Sequence, residues 1–210
     1  MRLQYIAIEG VIGVGKTSLA NKLADRFNAK QLLEQYEENP FLKDFYENPQ
    51  QFAFPTQLFF LLSRYKQQQD IPQRELFYEL LITDYIFAKD RIFASLTLED
   101  RELYLYDKIA SMLEQDIVRP DLVIYLQSST ERLLANIKNR SRDYEKNISD
   151  EYIRALNEAY NQFFFNYKDS SLLIVNSSKI DFVNHEEDFE ELVAQIMRPI
   201  SGTQYYSPIK

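Results

Sequence analysis

Apolar residues along this chain gather in two patterns. Short runs at residues 5–8, 79–84, 121–126 and 171–176, with a weaker one at 30–33, predict five strands, most of them buried on both faces. Between them, apolar positions three and four residues apart predict helices over 18–24, 41–47, 50–69, 86–94, 98–114, 130–140, 149–167 and 189–197. Asn48-Pro49 separates the second helix from the third, and Pro55 either marks a later start of the third or kinks its first turns. Strands that alternate with helices imply an α/β fold, a five-stranded parallel sheet covered by helices, as a single domain over residues 1–210. Residues 201–208 carry neither period, so 201–210 is expected to be a surface tail, with a subunit contact as the alternative.

Composition narrows the function classes. A net charge of −8 over 210 residues argues against broad binding to nucleic acid or an anionic membrane. With no cysteine there is neither a disulfide nor a thiolate zinc site. The single histidine, His185, stands in the acidic run His185-Glu186-Glu187-Asp188 and suits a solvated helix start better than a catalytic base. No apolar run approaches the ~18 residues of a membrane span, and the chain enters its first strand without a signal peptide, so a cytoplasmic protein is expected.

The first strand leads into Gly10-Val11-Ile12-Gly13-Val14-Gly15-Lys16-Thr17, followed by Ser18 and a helix. This is Gly-x-x-x-x-Gly-Lys-Thr in strand, loop and helix context, the pattern of a phosphate-binding P-loop. Its glycines, three of the chain's four, let the backbone turn N–H groups inward, and the helix N-terminus adds partial positive charge. Lys16 is placed on the outer phosphates of a nucleoside triphosphate such as ATP, and Thr17 on Mg²⁺. A glycine turn that only joins strand to helix would not need the Lys-Thr pair.

Ligands of such a sheet collect at the C-terminal ends of its strands. Glu34 follows the second strand and Asp84 ends the third, so the two carboxylates can divide the tasks of holding Mg²⁺ and taking a proton from an attacking hydroxyl. Capping the next helix is the other reading of each, and position alone leaves both open. Arg140 and Arg142 close a helix; they either neutralise a transferred phosphoryl group from a flap or offset the helix dipole.

The constellation resembles the deoxyribonucleoside kinases of the P-loop superfamily, bacterial deoxyadenosine and deoxyguanosine kinases among them, from residue 4 to about 180. The resemblance implies ATP-dependent phosphorylation of a deoxyribonucleoside 5′-hydroxyl in nucleotide salvage, with Glu34 as the base. It further implies that Tyr46 binds the sugar 3′-hydroxyl, Gln57 reads the base edge, and Phe93 stacks on the base. Arg64 and Asp90 resemble the pair found where the base is a purine or cytosine. The stretch Arg140-Ser141-Arg142-Asp143-Tyr144-Glu145 resembles a short arginine lid whose glutamate, Glu145, reaches the 3′-hydroxyl. A homodimer through helices beside the sheet is implied as well. Taken singly, Tyr46 and Phe93 also suit a core, Gln57 a solvated face, and Arg64 with Asp90 a structural ion pair.

One position departs from the resemblance. After Asp84 the family places an arginine that contacts phosphate; this chain has Tyr85, which carries no positive charge. Either Lys89 or Arg91 compensates, or transfer is weak. Two rivals follow: a nucleoside monophosphate kinase, which the acidic stretch Glu34, Glu37, Glu38, Asp44 and Glu47 disfavours, and a nucleotide-binding regulatory protein, which Tyr85 favours.

Overall fold

The computed structural model describes residues 3–69, 71, 79–140, 142 and 148–208. Strand β1 (Tyr5–Gly10) leads into α1 (Lys16–Phe27) and β2 (Lys30–Leu32). Helices α2 (Leu42–Glu47) and α3 (Pro49–Gln69) precede β3 (Leu81–Thr83), and α4 (Lys89–Thr97) and α5 (Asp100–Leu113) follow it. The chain continues through β4 (Leu122–Gln127), α6 (Thr130–Arg140), α7 (Asp150–Phe165), β5 (Ser171–Asn176), α8 (Glu186–Ile196) and β6 (Thr203–Tyr206).

The strands form one parallel sheet in the order β2-β3-β1-β4-β5-β6. Every residue of β1 is buried because it lies inside the sheet, which is why residues 5–8 form an unbroken apolar run. The main core gathers Ile6, Ile8, Leu19, Leu23, Ile124, Leu133, Leu156 and Leu173 from the sheet and the helices packed on it. A second cluster joins Leu61 of α3 to Tyr106 and Ala110 of α5.

The sheet has six strands rather than the five expected. Residues 203–206, read as tail, pair in parallel with β5 from Leu172↔Thr203 to Val175↔Tyr206. Their side chains are largely exposed, so the segment needs no apolar face and shows none; main-chain hydrogen bonding to β5 makes the strand. Other boundaries moved as well. The 79–84 run shortens to β3, and its helix begins at Lys89 instead of residue 86, leaving residues 84–88 to cross the top of the sheet. Pro55 does not delay α3, which runs from Pro49 with the proline inside it and gives up the one main-chain hydrogen bond that proline cannot donate. His185 caps α8 without a side-chain bond and is exposed, as its sequence context indicated.

Candidate functional site

The loop from Gly10 to Thr17 leaves the central strand and enters α1 through Gly15, whose φ of 102° only glycine adopts readily. Gly13, at φ +86°, lies against α6: a Cβ there would stand 2.8 Å from Ile137 Cγ1 and 3.0 Å from the Leu133 carbonyl oxygen. Asn136 of the same helix donates to the Gly13 carbonyl at 2.9 Å, so α6 fixes the loop by both shape and hydrogen bond. The first turn of α1 holds no acidic residue, which leaves its partial positive charge available to an anion.

Lys16 folds back over this loop, its Nζ donating to the carbonyls of Gly10 at 2.7 Å and Val11 at 3.3 Å. Burial lowers its ammonium to about 8 and the nearby Lys89 charge pushes the same way, against the carboxylates of Glu9, Glu34 and Asp84. Thr17 Oγ1 donates to Asp84 Oδ2 at 2.6 Å, and the main-chain N–H of Glu34 donates to Asp84 Oδ1 at 2.8 Å. One strand-end carboxylate thus ties the phosphate loop to the segment after β2.

Glu34 stands between two cations. Arg64 of α3 bonds its Oε1, and Lys89 Nζ donates to its Oε2 at 2.7 Å. Burial alone would raise the Glu34 carboxyl; the Arg64 guanidinium and then the Lys89 ammonium outweigh it and hold the group well below the usual carboxylate range. Arg64 also pairs with Asp90, both side chains being buried, and its guanidinium carbon lies 5.0 Å from the centre of the Phe60 ring.

These groups line one cleft above the C-terminal end of the sheet. Ile12, Gly13, Lys16, Thr17, Glu34, Tyr46, Gln57, Arg64, Asp84, Phe93, Arg140 and Arg142 all face it, joined by Tyr36, Phe60, Lys89 and Tyr152. Asp90 lies behind Arg64. Gln57 is buried on the cleft wall; its Nε2 donates to Thr97 Oγ1 at 3.3 Å, while its Oε1 has no partner among the described residues. Phe93 meets Tyr160 edge-on at 6.0 Å, which anchors its ring from behind. The Arg142 guanidinium stacks over the Tyr36 ring at 4.6 Å. A second groove runs along the outer side of the loop, where Gly13, Val14, Gly15 and Ser18 face Arg132, Arg140 and Asn184. Of the residues expected in the site, Glu145 lies outside the described residues.

Three readings change. Tyr85 does not line the cleft: it is fully buried, its ring centre 5.9 Å from the Arg64 guanidinium carbon. Of the two candidate compensating cations, Lys89 enters the site, while Arg91 pairs outward with Glu114 and Asp107. Among the described residues the pocket is also not acidic. Glu37, Glu38 and Glu47 are exposed and, with Asp44, stand off the cleft wall, which carries Lys16, Arg64, Lys89, Arg140 and Arg142 against Glu34 and Asp84.

Glu9 was not anticipated. Its carboxylate, fully buried at the end of β1, accepts from the main-chain N–H of Gly10 at 3.0 Å and of Ile86 at 2.9 Å. It joins the entry of the phosphate loop to the segment that carries Asp84 and Lys89. Burial pushes its carboxyl up, opposed by Lys89 and Lys16. The visible clue was a charged residue inside an otherwise apolar central strand.

Comparison with known proteins identifies the family. The family model described as deoxynucleoside kinase matches residues 6–201. A deoxyguanosine kinase of Bacillus subtilis is 36% identical over 91% of this chain and 95% of its own length. A deoxyadenosine kinase of Dictyostelium discoideum is 40% identical over 76% of this chain and 66% of its own. Among solved structures, deoxyadenosine kinase from M. mycoides with bound dATP superposes with a TM-score of 0.81 at 25% identity, covering 92% of this chain and 98% of that one. The chain belongs to the deoxynucleoside kinase family.

Proposed function

We propose that the chain transfers the γ-phosphoryl group of ATP to the 5′-hydroxyl of a deoxyribonucleoside with a purine or cytosine base, a reaction of nucleotide salvage. The observation that carries this is the placement of Glu34, a carboxylate kept ionised by Arg64 and Lys89, in one cleft with the phosphate loop. Lys16 and the loop amides hold the donor phosphates, and Arg140 with Arg142 offset charge on the group in transfer. The 5′-oxygen forms its bond to the γ-phosphorus while Glu34 takes the hydroxyl proton, and the bond from that phosphorus to the β–γ bridging oxygen breaks to release ADP. A depressed carboxylate suffices because phosphoryl transfer passes through a loose transition state with little demand for a strong base.

On the acceptor side, Tyr46 and Glu145 hold the 3′-hydroxyl, Gln57 with Arg64 and Asp90 reads the base edge, and Phe93 stacks on the base. The unpartnered Gln57 Oε1 on the cleft wall supports that assignment, since a buried amide oxygen is costly until a ligand donates to it. The Thr17 hydroxyl and the Asp84 carboxylate are hard oxygen donors of the kind Mg²⁺ takes and would hold the ion. When bound, Mg²⁺ supplies charge neutralisation on the donor phosphates.

The reading includes a homodimer: α3 and α5 pack together through Leu61 and Tyr106 and leave Leu62, Tyr104, Leu105 and Met112 exposed beside the sheet. It places the reaction in the cytoplasm, without nucleic-acid or membrane partners. No helix among the described residues is long and apolar enough to cross a membrane.

ADP release measured with each of the four deoxynucleosides and each of their monophosphates tests the function. Stimulation by deoxyadenosine, deoxyguanosine or deoxycytidine is expected. Stimulation by monophosphates alone would make the chain a monophosphate kinase, and ATP binding without turnover would make it a regulatory protein.

A further inference from the structure

Lys89 breaks two local rules at once. It is the first residue of α4, where the helix dipole disfavours a cation, and it is 3% exposed, where lysine is rare. Such a violation marks a position held for function when the surroundings supply the compensation. Here they do: Glu34 Oε2 accepts from its Nζ at 2.7 Å, and the buried Glu9 carboxyl is an electrostatic neighbour.

The other cations of the cleft have different attachments. Lys16 is bound to its own loop carbonyls. Arg64 is committed on both sides, to Glu34 Oε1 and to Asp90. Arg142 stacks on Tyr36, and Arg140 is exposed at the end of α6. Lys89 bonds Oε2, the Glu34 oxygen that Arg64 does not engage, and its charge is felt at Lys16 of the phosphate loop.

Resting on the kinase reading above, we infer that Lys89 is a catalytic residue that spans acceptor and donor: its ammonium, anchored on Glu34 Oε2 in the free site, donates to the 5′-oxygen and an oxygen of the transferring phosphoryl group once the nucleoside hydroxyl claims that carboxylate. An ammonium has three N–H donors on a flexible stem, so it shifts between these acceptors without leaving the cleft and without losing its proton. The 5′-hydroxyl proton still goes to Glu34. Lys89 supplies positive charge where negative charge is being passed from bridging oxygen to acceptor, a contribution of the preorganised electrostatic kind. It thereby fills, from four residues further along the chain, the gap left by the uncharged Tyr85.

The test compares Lys89→Ala, Lys89→Met and Lys89→Arg with the unaltered protein, reading kcat with a saturating deoxynucleoside, ATP affinity by titration, and recovery on adding methylammonium or ethylammonium. The expected result is a kcat loss of about 10²–10³-fold in the alanine and methionine variants. ATP affinity should change less than about threefold, with rising turnover as alkylammonium is added to the alanine variant and substantial activity in the arginine variant. Lys89→Met keeps most of the buried stem and serves if the alanine variant does not fold. The inference is overturned if Lys89→Met turns over within a few-fold of the unaltered protein, or if a folded alanine variant loses turnover that no alkylammonium restores. Absence of turnover in the unaltered protein with every deoxynucleoside would instead overturn the kinase reading itself.

Discussion

Asp84 accepts at Oδ1 from the main-chain N–H of Glu34 at 2.8 Å, while its other oxygen accepts from the Thr17 hydroxyl at 2.6 Å. A single buried carboxylate therefore ties the Glu34 segment to the loop that ends at Thr17. In Asp84→Ala both bonds vanish together, leaving the Glu34 segment untied from the loop. Turnover should fall by about 10²–10³-fold, as for loss of one preorganised electrostatic group. The Mg²⁺ concentration for half-maximal activity should rise in the same variant. An unchanged Mg²⁺ requirement would remove Asp84 from the metal site.

Glu34→Gln separates binding from chemistry. ATP affinity should be retained, while turnover drops by about 10²–10⁴-fold, the usual contribution of a general base. Stability should fall too, because Arg64 and Lys89 lose the charge that their burial requires; breaking such a pair costs about 3–5 kcal/mol. Isothermal titration with ATP, single-turnover kinetics and urea unfolding read the three quantities separately.

The same carboxylate predicts a pH dependence of stability. Its pKa is depressed on folding below an unfolded value of about 4.3, so its stabilising contribution is fully present above that pH and is lost as pH falls through the lower folded value. Urea unfolding between about pH 6 and pH 3 should show stability declining with acidification, and less steeply in Glu34→Gln. Parallel slopes for the two proteins would show that Glu34 is not depressed.

Lys16, lowered to about 8 in the free protein, gains anionic partners when triphosphate binds, and its pKa must then rise. Binding ATP near pH 8 should therefore take up a fraction of a proton. Calorimetric titration in buffers of different ionisation enthalpy measures that uptake directly, and Lys16→Met should abolish it along with much of the affinity.

Gly13→Ala places a Cβ against Ile137 and the Leu133 carbonyl at a φ of +86°. The backbone term alone costs about 1–3 kcal/mol, and the steric clash adds to it or displaces the loop. A lower urea midpoint together with weaker ATP binding is expected, since the same contact holds α6 to the loop that cradles phosphate.

What the sequence by itself determined was local. The central strands are continuous apolar runs because both of their faces are covered, and the phosphate loop is a contiguous pattern whose backbone conformation its glycines permit. Those features are encoded within a few neighbouring residues; strand-end position singled out Glu34 and Asp84, and the family likeness added Gln57 and Arg64 as expectations. The tertiary structure decided everything that depends on which side chains meet. The edge strand Thr203–Tyr206 exists through main-chain pairing with β5, which leaves no side-chain period to read. The charge of the cleft came from cations on α1, α3, α4 and α6 converging over the sheet, although the acidic residues are the ones crowded together in the sequence. At Tyr85 and Lys89 the difference is one of direction: four residues apart in a segment that crosses the top of the sheet, one side chain turns into the core and the other onto Glu34, and only the path of the backbone fixes which.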